Sequence, residues 1–215
     1  MQESLKKLNV EFNEAKRAQA KLTLDNLIQS AEQIVTGGDV GNFDARSLSR
    51  VSGYSLGSLV KRLGKIENIF LYAIAKLRSK KIQSIASRLA EYDVNSDARS
   101  IVEAFVPLAF DEIKHTNPSV IRYYENRAVK RADEWSHVFA YTDEIIEPLR
   151  SIISQNRSGT FRSIEDHELP YIARAFFLFI ERPFVEGDPI AGTELHRQMA
   201  VDALLRLIAV NREID

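Results

Sequence analysis

DARSLSRVSGYSLGSLVKRLGKIE, residues 44–67, reads as two short helices hinged at Ser52-Gly53-Tyr54. Glycine accepts the left-handed backbone that a tight interhelical turn requires. The first helix is expected to turn Leu48 and Val51 inward. The second is opened by Ser55, a residue type that caps helix N-termini well, and places Leu59 and Leu63 on its buried side. Two short helices joined by a Gly-bearing turn make a helix-turn-helix, whose second helix is shaped to lie in a DNA major groove.

Outward from this stretch the chain reads as helical almost throughout. Leu24, Leu27, Ile28, Ala31, Ile34 and Val35 form one amphipathic stripe, stopped by Gly37-Gly38. Residues 39–43 are a connection. After Gly64-Lys65, the apolar series from Ile66 through Leu89 predicts a helix to about Tyr92, roughly 40 Å at 1.5 Å per residue. Residues 93–97, rich in capping side chains, are the expected break. Five further helices are expected at about 97–115, 118–130, 132–155, 166–182 and 192–211. Asn117-Pro118 is a boundary because proline pushes the residue before it out of the helical region. The most loop-like stretches are 154–163 and 182–192. With no alternating pattern of useful length, the fold class is all-α.

Composition narrows the function little: 45% hydrophobic and 27% charged residues are ordinary for a globular chain. The absence of cysteine excludes disulfides, thiolate zinc sites and cysteine nucleophiles. The N-terminus lacks the apolar core of a signal peptide, and the longest apolar run, AFFLFI, is far below the roughly 20 residues that cross a bilayer. A soluble, cytoplasmic protein is expected. The net charge of −1 hides a division: residues 1–90 hold 15 Lys/Arg against 8 Asp/Glu, and residues 91–215 hold 14 against 22. Such asymmetry suits an N-terminal part that meets a polyanion, though solvated helix faces give the same arithmetic. Its coincidence with the helix-turn-helix favours nucleic acid.

Leu48-Ser49, Ser52-Gly53-Tyr54-Ser55, Leu56, Gly57-Ser58-Leu59, Val60, Leu63 and Glu67 follow the pattern of the DNA-binding head of TetR-family transcriptional regulators, which the N-terminal ~70 residues resemble. The three-helix head, the long fourth helix and the helical body of about 120 residues also match in order and length. The resemblance implies residues 1–66 as an N-terminal arm and DNA-binding domain, with the motif at 44–63. It implies residues 67–215 as a ligand-binding and dimerisation domain. Three positions depart from the family: Val60 replaces a tyrosine, Leu63 an aromatic and Ile66 a lysine. The tyrosine and lysine commonly touch phosphates, a role that Lys61, Arg62 and Lys65 can take over here.

A recognition helix needs small or polar side chains near its N-terminus to approach bases. Ser55, Leu56, Gly57 and Ser58 meet that need. Gly57 costs helix stability, which points to close approach by DNA or by the preceding helix. Ser58 suits a base or phosphate, and Leu56 a thymine methyl. Arg46, Lys61, Arg62 and Lys65 suit phosphates, and Tyr54 and Val60 complete the expected DNA-binding set. The basic arm with Lys6, Lys7, Lys16, Arg17 and Lys21 either follows DNA or is a solvated tail.

The acidic half carries fewer signals. Tyr171 to Ile180 and Met199 to Val210 are apolar nearly all round, so these last two helices either form a homodimer interface or fill the centre of the C-terminal core. The resemblance implies a small-molecule effector in this half. Phe105, Tyr124, Trp135, Phe139 and Phe177 are the expected pocket residues, with plain core packing as the alternative. The four histidines form no i, i+4 pair, and no P-loop, dinucleotide fingerprint, nucleophile elbow or zincin motif occurs. No catalysis, metal or cofactor is expected. The leading expectation is a homodimeric, ligand-responsive repressor that binds a near-palindromic operator. A helical protein-interaction module with the same fold is the alternative, and an all-α enzyme is more remote.

Overall fold

In the computed structural model, residues 18–128 and 140–210 are described, and every structural statement concerns these. Their backbone forms nine α-helices: α1 Ala18–Thr36, α2 Ala45–Ser52, α3 Leu56–Leu63, α4 Ile66–Leu89, α5 Ala98–Ile113, α6 Pro118–Ala128, α7 Ile146–Gln155, α8 Leu169–Glu186 and α9 Glu194–Ile208. Two 3-10 segments, Val40–Asn42 and Ala140–Ile145, join them, and a single antiparallel bridge pairs Phe161 with Ala209. The fold is all-α. No described helix is long and apolar enough to cross a membrane.

Contacts divide the chain into two units, residues 1–78 with 117–140 and residues 79–116 with 141–215. The first unit therefore takes in more than residues 1–66: the start of α4 and all of α6 belong with it. Its core gathers Leu27 and Ala31 of α1, Leu48 of α2, Leu59 and Leu63 of α3, Phe70 of α4 and Tyr124 of α6. Phe43, in the connection before α2, stacks on Phe70 at 5.1 Å and meets Tyr123 edge-on at 5.0 Å. Arg127 lies over the other aromatic of that group, 3.8 Å from the Tyr123 ring centroid, and pairs with Glu67. A short loop is thereby tied to α4 and α6 through offset and edge-on ring contacts, geometries that aromatic pairs favour.

The second unit packs α9 on α5 and α8. Ile101, Phe105, Phe176, Phe177, Leu204 and Ile208 are all buried there. The expected break at 93–97 is present: Asp97 caps α5 by accepting from the Ser100 backbone N–H at 2.6 Å, which holds its carboxyl below the usual range. The loop 156–160 is fastened to the same break, since Asn156 Nδ2 donates to Ser96 O and the Ala98 N–H to Thr160 Oγ1, both at 2.8 Å.

Several elements differ from expectation. Residues 140–145 wind as a 3-10 segment before α7, where one helix over 132–155 was expected, and its earlier part lies outside the described residues. α8 begins later, at Leu169, and does not stop at residue 182. It continues through Pro183 to Glu186 and ends on Gly187. Proline in a helix interior leaves the carbonyl four residues earlier without its N–H donor. That carbonyl belongs to Phe179, and His196 of α9 takes it through Nε2 at 3.2 Å. The Gly192 N–H donates to His196 Nδ1 at 3.2 Å, which leaves Nε2 as the donor to Phe179 O. A long-range side chain thus replaces the missing helical donor, and the helix survives its proline.

Arg162 performs a related task at the end of α9. Its Nε donates to Leu207 O at 2.6 Å and its backbone N–H to Ile208 O at 2.9 Å, satisfying carbonyls left open at the helix C-terminus. Glu168 grips the same guanidinium at 2.8 and 3.2 Å and accepts the Glu165 N–H. The Arg162 hydrogen bond, followed by that backbone bond, lowers the Glu168 pKa from 4.5 to about 2. A depressed carboxylate contributes stability above its ordinary pKa and loses it as pH falls through the folded one. Glu168→Gln should therefore lower the melting temperature by a constant amount above pH 5. The gap to the parent protein should close between pH 4.5 and about 2, as thermal melts across that range would record.

Candidate nucleic-acid interface

The two short helices are built by local chemistry. Asp44 caps α2, accepting from the Ser47 N–H at 2.8 Å, and that bond lowers its pKa. α2 ends on Gly53, whose φ of 75° is left-handed and whose N–H donates to Ser49 O. The turn is pinned again by Ser49 Oγ, which donates to Tyr54 O at 2.6 Å, and by the Tyr54 N–H, which donates to Ser52 Oγ. Ser55 then caps α3, accepting from the Ser58 N–H at 3.3 Å. The cap that opens the candidate recognition helix is the one read from the sequence.

α3 has two contrasting sides. Leu59 and Leu63 are 0% and 1% exposed and root the helix in the core of its unit. Leu56, Gly57, Val60, Lys61 and Arg62 are exposed, as are Ser55 before the helix and Lys65 after it. Lys61 and Arg62 stand in the last turn of α3, where cations also complement the helix dipole. Arg46 is exposed on α2. Between residues 45 and 66 the chain holds five cations, Arg46, Arg50, Lys61, Arg62 and Lys65, and no carboxylate. Such a stretch attracts a polyanion.

Two members of the expected set are less available. Tyr54 is half-buried against the core of the first unit. Ser58 is half-buried, with its hydroxyl 3.0 Å from that of Ser55. Val51, expected to point inward, is 41% exposed: α2 has only two turns, and its buried residues, Ser47 and Leu48, lie in the first. Arg50, absent from the expected set, is exposed four residues after Arg46 and so shares its face. That spacing was the signal for it. At Gly57, an added Cβ meets no atom within 4 Å. Close packing by the preceding helix is therefore not what the glycine serves.

The expected pocket residues separate. Phe105 and Phe177 line a cavity of about 30 Å³ in the second unit, together with Phe161, Phe176, Leu149 and Ile152, and every lining residue is apolar. Tyr124 is instead in the core of the first unit, 2% exposed, with burial pushing its hydroxyl up to about 12. Trp135, Phe139 and the basic N-terminal arm lie outside the residues whose side chains are described. No cluster of three or more metal-ligating side chains occurs among the described residues.

No protein-family model and no curated protein matches the chain. Solved structures do. A candidate TetR-family transcriptional regulator from Mesorhizobium loti aligns over 90% of this chain and 100% of its own, with a TM-score of 0.60 at 13% identity. A TetR family transcription regulator from Marinobacter aquaeolei aligns over 87% and 95%, with a TM-score of 0.55 at 13% identity. One from Thermus thermophilus aligns over 84% and 97%, with a TM-score of 0.51 at 19% identity. The chain has the fold of these regulators along nearly its whole length.

Proposed function

We propose that this chain is a sequence-specific DNA-binding transcriptional regulator that acts as a homodimer and responds to an apolar effector as a repressor. The observation that carries DNA binding is α3: an eight-residue capped helix, rooted by Leu59 and Leu63, with its exposed face inside a stretch of cations free of carboxylates. In this reading residues 1–66 are the DNA-binding region. Residues 67–215 serve dimerisation and effector binding. Arg46, Arg50, Lys61, Arg62 and Lys65 hold phosphates and set register, and the first five residues of α3, Leu56 to Val60, meet base edges.

Dimerisation is supported by Tyr171 on α8 and by Leu195 and Met199 on α9, which are 69%, 60% and 40% exposed. Leu195 and Met199 are one turn apart on the same face. Two heads then meet half-sites about 34–36 Å apart, or a multiple of that, in a near-palindromic operator. The effector reading rests on the apolar cavity. At about 30 Å³ it is far smaller than the roughly 150 Å³ cavities that admit benzene, so a ligand has to widen it. α7 is the wall suited to move, because it contributes Leu149 and Ile152 and has no fully buried residue.

The test is binding of the full chain to DNA across salt concentrations, with sites selected from a random pool. Affinity should fall steeply with salt, and Lys61→Ala should weaken binding to all sequences and flatten the salt slope by about one per head. A dimer without salt-sensitive DNA binding would overturn the reading.

Gly57→Ala separates fold from function. The methyl enters open space and a better helix former replaces glycine, so stability should hold or rise by up to about 1 kcal/mol. Affinity for the selected site should nevertheless fall about fivefold to hundredfold, since a methyl forced into a close-packed interface costs on the order of 1–3 kcal/mol. Parallel melting and binding measurements on one preparation check both halves.

A further inference from the structure

The exposed edge of α3 is apolar where base recognition is usually polar. Leu56 is 46% exposed and Val60 56%, and four residues of separation put them on one face of the helix. Gly57, beside them, leaves the backbone bare. The first five residues of α3, Leu56 to Val60, include no Arg, Lys, Asn, Gln, Asp or Glu, the side chains that make paired hydrogen bonds to base edges. The one hydroxyl among them, on Ser58, is half-buried and lies 3.0 Å from the capping hydroxyl of Ser55.

The surroundings identify what suits this edge. Arg46, Arg50, Lys61, Arg62 and Lys65 flank it without a carboxylate between residues 45 and 66. An occupant has to be strongly anionic and yet offer a small apolar group at close range. Duplex DNA does both, since its phosphates carry the charge and the major groove displays one apolar group, the thymine C5-methyl.

We infer that Leu56 and Val60 read thymine methyl groups, which makes the operator half-site one defined by thymines more than by guanine hydrogen bonds. The inference rests on the DNA-binding reading above and names the chemistry of recognition within it. Four helical residues rise about 6 Å, and successive base pairs rise about 3.4 Å. The two methyls therefore belong to base pairs no more than about two steps apart. Gly57 brings the helix close enough for side chains as short as leucine and valine to reach them.

The experiment resynthesises the DNA site selected by the full-length protein with deoxyuridine replacing thymidine, one position at a time. Uracil keeps every hydrogen-bonding group of thymine and lacks only the methyl. Affinity is read by fluorescence anisotropy at fixed salt. One or two positions per half-site should lose about fourfold, the worth of one buried CH2. Val60→Ala or Leu56→Ala should abolish the thymine–uracil difference at its own position and retain the difference at the position read by the other residue. Both positions are exposed, so the variants keep the fold. Equal affinity for thymine and uracil at every position overturns the inference and leaves DNA binding standing. Full discrimination retained by both variants overturns the assignment to these residues. A pool that yields no salt-sensitive binding overturns the DNA-binding reading itself, and this inference with it.

Discussion

Leu59→Ala should unfold the first unit far more readily than the neighbouring Val60→Ala, although the two side chains are adjacent in sequence and similar in size. Leu59 is 0% exposed and Val60 is 56% exposed. Removing a fully buried leucine side chain costs about 2–5 kcal/mol, from lost transfer free energy and the cavity left behind. An exposed substitution away from special features stays within about 0.5 kcal/mol. α3 makes the difference larger in function than in stability. With eight residues it is too short to hold helical structure alone in water, so its order depends on Leu59 and Leu63. Leu59→Ala should therefore weaken binding to every DNA sequence, whereas Val60→Ala should change preference. Urea titrations of both variants, with binding to selected and scrambled duplexes, read this contrast. Equal destabilisation by the two would mean that α3 is not rooted as described.

His196→Leu should cost the second unit about as much, for a different reason. The ring is fully buried and serves two backbone groups, Phe179 O and the Gly192 N–H. Leucine fills much of the volume and satisfies neither. A fully buried group left without a partner costs about 1–3 kcal/mol; both groups belong to half-buried residues, which puts the sum for the two at roughly 2–4 kcal/mol. The edge-on contact with Phe110 at 4.7 Å is lost as well. A second substitution tests the cause. Pro183→Ala restores an N–H that can reach Phe179 O along the helix, so His196→Leu should cost about 1 kcal/mol less in that background. Strict additivity in the double-mutant cycle would show that the histidine contributes packing alone.

These two cases mark what the sequence could and could not convey. The helix-turn-helix was legible because its signals are local: Gly53 at a left-handed turn, Ser55 at a cap, and leucines four apart under a helix. Each depends on residues within one or two turns, and the structure places Leu48, Leu59 and Leu63 in the core as the spacing required. Val51 lies one turn from Leu48 and is exposed, because periodicity records the face of a helix but not how far along it the neighbouring helices extend. Tyr124 and Phe105 looked alike as aromatics with helical neighbours. Only their partners send one into the core of the first unit and the other to the rim of an apolar cavity.

The sequence by itself determined the all-α class, the order of the helices and the helix-turn-helix, since capping, turn chemistry and the 3.6-residue period act over short stretches of chain. The tertiary structure decided which face of α3 is left to solvent, that α8 runs through Pro183, and where the apolar cavity lies. Each of these depends on groups far apart in sequence. The donor that rescues Phe179 O stands 17 residues away on another helix, and no local pattern specifies a partner at that distance.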